Sequence, residues 1–597
     1  MADYKAPLKD MNFSLRHSAR IEQLAQLPGF EDASDDMVSA ILEEAGKVAT
    51  GVLSPLNVVG DQTGVKLEGD SVLIPEGYAD AYQQFAEGGW GSLQFDPEFG
   101  GQGLPYALSV PVMEMWQSAN MAWGLCPLLS QGAVEAIACN ASDEIKAQYL
   151  PKLISGEWVG TMNLTESDAG SDLAAIRCRA DREGDHYRIK GQKIFITWGD
   201  HDMADNIIHL VLARLPDAPP GVRGISLFVV PKFLLNDDGT SGERNDVKCV
   251  SLEHKLGIHS SPTAVMAFGD DEGAIGYLVG AENKGLACMF TMMNNARLAV
   301  GLQGVAISER AYQHALEYAH DRIQSPSVGT KTPGPIIRHA DVRRMLQTMK
   351  SITEAGRSLT YDACASLDFS HKLEDADARA KASARAAYLT PIVKGWCTEV
   401  AQEVTSLGVQ IHGGMGFIEE TGAAQHFRDA RILPIYEGTN GIQALDLVGR
   451  KTLFDKAEAA TAVQAEIAEL IEKLEAQGGF AAEAAQLKAA LVQAQACQDQ
   501  LLNGAADDAH LAGAVAHNFM MMMGTLCGGW QILRGALAAQ AELAEGGDQV
   551  FLEAKILSAR FYVAQILPRL QSYAQMVTAG SESIQAMSDD QLASAWY

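Results

Sequence analysis

The residue best placed for chemistry in this sequence is a single glutamate, Glu437, in the segment RILPIYEGTNGIQALDLVGRK. It follows the apolar run from Ile432 to Tyr436 and precedes an amphipathic stretch that Thr439 or Asn440 could cap. Apolar surroundings disfavour an ionised carboxyl, so burial there would raise the pKa of Glu437 and make it a stronger base. The segment therefore suits proton abstraction. A loop glutamate hydrogen-bonded to backbone amides accounts for the same residues, and these physical arguments leave both interpretations open.

A second segment, MNLTESDAGSDLAAI at residues 162–176, combines hydroxyl side chains with an Ala-Gly-Ser turn after a predicted strand. Backbone N–H groups and the hydroxyls of Thr165 and Ser171 suit the edge of a flavin or the phosphates of a nucleotide. The same residues are common in ordinary capped turns, so function and plain turn structure explain them equally well. The sequence contains no dinucleotide-binding glycine fingerprint, no P-loop and no usual metal-ligand spacing. A dinucleotide must therefore be held in another way, and we predict no metal site.

The elements that must position these segments follow an α, β, α order along the chain. Residues 1–156 alternate amphipathic helical runs with turn signals and predict an α-helical domain. Residues 157–282 contain short β-branched and aromatic runs bounded by Gly, Pro and Asp, which predict a β-barrel or sandwich. Helical periodicity returns over residues 283–450 and predicts a helix bundle, and the Ala- and Glu-rich residues 451–597 predict an additional helical domain. We therefore predict an α+β multidomain fold with these four domains.

Composition narrows the classes of partner and the compartment. The chain has 597 residues, of which 47% are hydrophobic, and its formal net charge of −29 opposes nucleic-acid phosphates and anionic lipid surfaces. The nine cysteines occur singly and without a CxxC pair, so we predict reduced, mostly buried thiols in a cytoplasmic protein. No targeting segment is evident at the start. The most apolar stretch, residues 519–533, is too short to cross a bilayer and predicts a buried helix.

Taken together, IYEGTNGIQ and LTESDAGSD resemble the acyl-CoA dehydrogenase family, in which both motifs occur in this order. The resemblance extends over roughly residues 80–450 and includes EFGGQGLP, KIFITWG, KLGIHSSPT and QIHGGMGF. It implies an α-helical N-terminal domain, a β-barrel middle domain and a four-helix domain, with FAD between the barrel and the helices. It also implies that Glu437 removes the α-proton of an acyl-CoA thioester while the β-hydride passes to the flavin. The backbone N–H of Glu437 and a ribityl hydroxyl would then stabilise the charge that develops on the thioester oxygen.

The resemblance assigns further site residues by position. Those implied to contact the flavin ring are Leu164, Thr165, Phe195, Ile196 and Thr197. Those implied to hold the phosphates, the adenosine or adjoining parts of FAD are Gly170, Ser171, Arg322, Gln410, Gly413, Gly414, Thr439, Asn440 and Gly441. The implied contacts to CoA are Ser171, Asn294 and Arg297. The sequence departs from the common family pattern at two of these sites, with Phe195 where many members have Trp and Asn294 where Asp is frequent.

The residues after Arg450 and the opening DYKAPLKDMNF resemble a longer bacterial subgroup, which acts on fatty acyl-CoA or on 3-methylmercaptopropionyl-CoA. The catalytic residues do not separate these substrates, and we expect a fatty acyl-CoA of β-oxidation, with the sulfur-containing thioester as the alternative. The resemblance also implies a homodimer and an electron-transferring flavoprotein as electron acceptor. An acyl-CoA oxidase, in which oxygen reaches the reduced flavin, is the closer rival. A DNA-binding protein of this fold is remote, because residues 451–597 carry 8 Lys and Arg against 17 Asp and Glu.

Overall fold

A computed structural model describes residues 3–596, apart from the side chains of residues 291 and 292. The chain forms two compact units. The first comprises Asp3–Ala6 and Gly29–Ala299, and the second comprises Pro7–Pro28 and the residues from Val300 onward. The short helices near the N-terminus therefore pack with the C-terminal half of the chain.

The first part of the chain is helical. Its helices are α1 (Leu8–Ser14), α2 (Ile21–Leu24), α3 (Asp35–Val48), α4 (Ser54–Thr63), α5 (Tyr78–Glu87), α6 (Tyr106–Ala119), α7 (Met121–Asn140) and α8 (Asp143–Ser155), with a hairpin of β1 (Lys66–Glu68) and β2 (Ser71–Leu73) between α4 and α5. Side-chain caps begin several of them: Asn120 accepts a hydrogen bond from Trp123 N–H at α7, and Ser142 caps α8 in the same way.

The middle of the chain is a β domain. Its strands are β3 (Trp158–Asn163), β4 (Arg179–Glu183), β5 (His186–Thr197), β6 (Asn206–Arg214), β7 (Ile225–Pro231), β8 (Phe233–Leu235), β9 (Ser241–Arg244), β10 (Val247–Leu252), β11 (Thr263–Phe268) and β12 (Ala274–Val279). Eight of them form one sheet in the order β10-β11-β5-β12-β7-β6-β3, with β4 beside β5 and β6. Strands β6 and β7 are buried almost throughout, because the chain covers both of their faces.

Long helices return after the β domain. They are α9 (Gly285–Asp321), α10 (Ala340–Lys372), α11 (Ala376–His412), α12 (Ala423–Ala430) and α13 (Asn440–Val448), with a hairpin of β13 (Ile323–Pro326) and β14 (Pro333–Pro335) after α9. The C-terminal helices are α14 (Glu458–Gln477), α15 (Ala481–Gly504), α16 (Leu511–Ala544), α17 (Gln549–Phe561), α18 (Arg569–Thr578), α19 (Glu582–Gln585) and α20 (Asp589–Leu592). Helix α16 packs against α10, α11 and α13, so the C-terminal helices share a core with the bundle.

The predicted α+β order of helical, β-barrel, helical and additional helical regions is confirmed. The apolar stretch at residues 519–533 lies buried within α16, as predicted. Within residues 3–596 no helix is both long and apolar enough to span a bilayer. All nine cysteines are free, and only Cys139 is exposed.

Candidate active site

Glu437 lies in a tight turn that precedes α13, in the second unit. Its backbone has φ of 53°, in the left-handed region, and Gly438 follows with φ of 80°. A non-glycine residue held there costs about 1–3 kcal/mol and is found mainly where the surrounding structure imposes it, often at functional sites. The N–H of Asn440 donates to the carbonyl of Pro434 at 2.9 Å and closes the turn around Glu437. Glu437 is partly exposed.

The residues that flank Glu437 are fixed on both sides. Thr439 caps α13, since its hydroxyl oxygen accepts a hydrogen bond from the N–H of Ile442 at 3.3 Å. This agrees with the prediction that Thr439 or Asn440 begins that helix. On the other side, the hydroxyl of Tyr436 donates to the side-chain oxygen of Gln303 on α9. Burial raises the pKa of the Tyr436 hydroxyl far above its usual range, so it remains a neutral donor.

The glycines after α11, in the same unit as Glu437, leave their backbone accessible to a ligand. Helix α11 ends at His412, and Gly413 follows with φ of 60°. A methyl group added at Gly413 or Gly414 would meet no atom within 4 Å. Gln410, in the last turn of α11, is exposed, as is Gly441 in the first turn of α13. Exposed backbone of this kind suits the close approach of a phosphate or an adenosine.

Arg322, directly after α9, is the cation of this unit that the resemblance assigns to FAD. Its side chain is exposed, and it forms no ion pair with an acid anywhere in residues 3–596. Its carbonyl accepts a hydrogen bond from the N–H of Ile336 at 2.8 Å, which fixes its backbone at the start of the β13–β14 hairpin. An exposed guanidinium on a fixed backbone suits an anionic group such as a pyrophosphate.

In the first unit, a buried ion pair positions the segment of Leu164 and Thr165. The ammonium of Lys193 on β5, which is fully buried, donates to the carboxylate of Glu166 at 2.7 Å and to the carbonyl of Leu164 at 2.9 Å. Burial alone would raise the pKa of Glu166, but Lys193 and the backbone N–H groups of Arg177 and Cys178 outweigh it and lower that pKa. Glu166 therefore stays ionised and holds the segment against β5.

The end of β5 carries the three residues predicted to face the flavin, and they differ in orientation. Phe195 has φ of 60° and a ring that is 58% exposed, an unusual position for an aromatic residue. The side chain of Ile196 is buried in the core of the barrel, which leaves only its backbone for a ligand. Thr197 is partly exposed and pairs with Thr263 of β11. The exposed Phe195 ring and Thr197 thus suit one face of a flat ring system.

Of the other residues of the first unit that are predicted to contact FAD or CoA, some are accessible and one is buried. Gly170 and Ser171 lie exposed in the turn before Leu173, and Gly170 has open space around it. Asn294, on the first turns of α9, is exposed, whereas Arg297 one turn later is buried. Ser171 and Asn294 are therefore available to CoA as placed, and Arg297 would act from inside the unit.

Sequence reasoning missed a carboxyl with unusual chemistry, Glu135 on α7. It accepts hydrogen bonds from the side-chain amides of Asn295 on α9 and, at 3.3 Å, of Gln94. Burial raises its pKa from 4.5 to about 7, although both hydrogen bonds act in the opposite direction. No motif marks this group, because its partners lie 41 and 160 residues away in the sequence.

Glu135 should make the stability of the protein depend on pH between 4.5 and 7. Its raised pKa means that the protonated form favours the folded state, so the stabilisation is complete below pH 4.5 and is lost as the pH rises through 7. We expect the change in Tm caused by Glu135→Gln to be more favourable at pH 8 than at pH 5 by a few degrees. This difference corresponds to about 1–2 kcal/mol in the free energy of unfolding, after allowance for the partial exposure of Glu135. Thermal unfolding at both values measures this. Glu144→Gln, an exposed site on α8, is the control and should show no such difference.

Four family descriptions match the sequence in order. They are "Acyl-CoA dehydrogenase, N-terminal domain" at residues 71–157, "Acyl-CoA dehydrogenase, middle domain" at 161–270, "Acyl-CoA dehydrogenase, C-terminal domain" at 283–453 and "Acetyl-CoA dehydrogenase C-terminal like" at 461–588. Together they span most of the chain.

Relatives match over nearly the whole length. The 3-methylmercaptopropionyl-CoA dehydrogenase of Ruegeria pomeroyi is 50% identical over 97% of this chain and 99% of its own. A butyryl-CoA dehydrogenase of Syntrophomonas wolfei is 37% identical over 95% of both chains. The fold is also that of Caenorhabditis elegans ACDH-11, solved in complex with C11-CoA, with a TM-score of 0.81 at 20% identity over 100% of this chain and 97% of that one.

Proposed function

The chain belongs to the acyl-CoA dehydrogenase family of FAD-dependent oxidoreductases, and from this premise we propose that Glu437 is the base of its reaction. The observation that carries the proposal is the left-handed turn that presents this one carboxyl beside α13. When bound, FAD would supply the acceptor for the hydride that leaves Cβ of the acyl-CoA. The ionised Glu437 takes the proton from Cα, and the electron pair of the broken C–H bond forms the Cα=Cβ double bond of the trans-2-enoyl-CoA. The backbone N–H of Glu437 is proposed to hydrogen-bond the thioester oxygen as it gains charge.

For the substrate, we propose a short linear thioester, with 3-methylmercaptopropionyl-CoA ahead of the fatty acyl-CoA that the sequence alone favoured. The support is the identity of 50% to the relative that bears this activity in its name, against 37% to the butyryl-CoA dehydrogenase. The 3-methylmercaptopropionyl chain has about four atoms beyond the thioester carbonyl and the butyryl chain about three, so the two require pockets of similar depth. A role in β-oxidation of short chains is the alternative.

The experiment that tests the proposed function is anaerobic flavin reduction by graded thioesters. FAD-loaded protein is mixed with 3-methylmercaptopropionyl-CoA and with butyryl-, octanoyl- and dodecanoyl-CoA, and bleaching of the flavin band is followed. We expect the first two to give the highest kcat/KM. Faster reduction by dodecanoyl-CoA would contradict the proposed substrate. Absence of reduction by every thioester would contradict the proposed reaction. Release of peroxide in air would instead favour an acyl-CoA oxidase.

For the cofactor, the proposal places the FAD phosphates against Arg322 and the open backbone of Gly413 and Gly414. Arg322→Ala should lower the affinity for FAD by about tenfold or more, because a charge-assisted contact is lost, with less effect on the rate per bound flavin. The ratio of flavin to protein absorbance after gel filtration measures the loss. Arg338→Ala, an exposed arginine just after the same hairpin, is the control. A variant at Arg322 that stays fully yellow would contradict the assignment.

We also propose a homodimer, with electrons leaving to an electron-transferring flavoprotein in the cytoplasm. The apolar side chains that follow Gly414 support the dimer, since Phe417 is 86% exposed and Met415 and Ile418 are nearly half exposed. The free cysteines agree with a reducing compartment. Reoxidation of the reduced protein by a purified electron-transferring flavoprotein, faster than by oxygen, is the result expected for this acceptor.

Phe417→Glu should weaken the dimer because it places a charge in the proposed apolar contact. We expect a loss of association of about 10²-fold, measured by sedimentation velocity over a dilution series, together with weaker FAD retention. Phe454→Glu provides a matched control, since Phe454 is also 86% exposed and lies after α13. Equal dissociation of the two variants, or none in either, would argue against this surface.

A further inference from the structure

The side chain of Asn440 is buried against one turn of α11. Its Oδ1 accepts hydrogen bonds from the ammonium of Lys394 at 2.8 Å and from the hydroxyl of Thr398 at 3.3 Å. Its Nδ2 donates to Thr398 at 2.9 Å, to the carbonyl of Gly395 at 3.2 Å and to the carboxylate of Glu399 at 2.9 Å. The amide is thus bonded on every side by residues 394–399, and Asn440 is 4% exposed.

The same asparagine is the last residue of the turn that carries Glu437. Its backbone N–H donates to the carbonyl of Pro434, so the backbone and the side chain of Asn440 together join the turn to α11. Gln443, one turn into α13, is fully buried and donates to the carbonyls of Glu437 and Gly438, each at 3.3 Å. Two side chains therefore fix the backbone on which the catalytic carboxyl is mounted.

Lys394 is the unusual member of this group because its side chain is fully buried. A buried ammonium is costly unless hydrogen bonds satisfy it, and it then fixes the geometry of its partners closely. The left-handed backbone at Glu437 needs such a constraint, since a non-glycine residue leaves that conformation unless its surroundings impose it.

We propose that Lys394 and Asn440 are positioning residues that hold the turn of Glu437 in the geometry required to take the α-proton. The inference rests on the proposed function of Glu437 and reassigns the Asn440 side chain, predicted from the sequence as a cofactor contact, to this clasp. The clasp is defined as Lys394, Thr398, Asn440 and Gln443. Because its proposed role is to hold the turn of Glu437, its effect should fall on the rate of proton abstraction and spare the binding of the thioester.

The test is Lys394→Met, which keeps an unbranched side chain that fills most of the same space and removes the ammonium with its hydrogen bonds. We expect kcat for flavin reduction to fall by about 10²-fold, as for a base displaced by about 1 Å, with KM changed by less than threefold and FAD content unchanged. In a Glu437→Gln background the same change should cause no further loss, because both act through the carboxyl at 437. A role in folding alone would add to the loss in that background and would overturn the proposal.

Two further variants separate the outcomes. Gln443→Leu removes contacts to the turn without burying or deleting a charge, so it provides the test if Lys394→Met does not fold, and it should also lower kcat selectively. Thr405→Val is the matched control on α11, because Thr405 is fully buried and its hydroxyl donates within the helix, to the carbonyls of Ala401 at 2.8 Å and Gln402 at 3.3 Å. Normal kcat in Lys394→Met, with Glu437→Gln inactive, would overturn the clasp alone. Normal activity of Glu437→Gln would instead overturn the proposed function.

Discussion

Glu437→Gln is expected to reduce the rate of flavin reduction by acyl-CoA by about 10³-fold or more, while FAD and the thioester still bind. The amide has nearly the shape of the carboxyl, and the turn keeps the hydrogen bonds that its carbonyls accept from the N–H of Asn440 and from the side chain of Gln443. It cannot accept the α-proton, and a positioned general base contributes about 10²–10⁴-fold to such a step. Stopped-flow bleaching of the flavin band under anaerobic conditions measures the rate.

The controls for this prediction distinguish loss of the base from loss of the site. The variant should retain its yellow colour through gel filtration and should give the spectral change of thioester binding without bleaching. Glu420→Gln alters an exposed glutamate of the same unit and should leave the rate unchanged. Near-normal bleaching in Glu437→Gln would show that another group takes the proton and would remove the basis of the proposed mechanism.

The order of the elements was within reach of the sequence because it depends on local patterns. The alternation of β-branched runs with turn residues predicted the β domain, and the 3.6-residue periodicity predicted the long helices α9 and α10. The start of α13 at Thr439 followed from a local capping rule, since the capping hydroxyl and the N–H that donates to it are three residues apart. Local rules of this kind need no knowledge of the tertiary structure.

The direction of individual side chains was out of reach because it depends on contacts between distant segments. Ile196 sits beside Phe195 in a motif that resembles a flavin contact, yet its side chain enters the barrel core. Asn440 follows Thr439 in a motif that resembles a cofactor contact, yet its side-chain amide hydrogen-bonds to Lys394 on α11. The left-handed backbone at Phe195 likewise lies where the pairing of β5 with β11 shifts register, and no spacing in the sequence reveals that shift.

Buried ion pairs were also missed, because their members are far apart in the sequence and have no periodicity. Arg357 on α10 bonds to Asp10, 347 residues earlier, and to Glu309 on α9 at 2.8 Å. Lys555 on α17 bonds to the same Asp10 at 2.6 Å. Charged residues in an amphipathic helix are read as solvent-facing by default, so the sequence offers no sign that these are interior.

Asp362→Ala is the substitution expected to destabilise the second unit most. Asp362 on α10 is fully buried and accepts hydrogen bonds from Arg385 on α11 at 2.6 Å and from Gln531 on α16 at 2.9 Å, and Arg20 and Arg534 lie at 3.3 and 3.5 Å. Removal of one carboxylate leaves three guanidinium groups, each largely buried, without their shared counter-ion. Breaking a buried pair in this way costs about 3–5 kcal/mol, so we expect Tm to fall by about 10 °C at pH 7.

The pH dependence of that loss identifies its cause. Burial alone would raise the pKa of Asp362, but Arg385, Arg20 and Arg534 outweigh it and hold that pKa below 3.8. The ionised form therefore stabilises the fold above pH 3.8, and the stabilisation is lost as the pH falls below that value, so wild type and variant should converge in acid. Asp377→Ala, at an exposed site in the first turn of α11, is the control. Because α16 also packs against α10, α11 and α13, the variant should still unfold in one transition. Two separate transitions would mean that the Asp362 network is the main link between the C-terminal helices and the bundle, and a fall in Tm of less than 2 °C would mean that the network contributes little to stability.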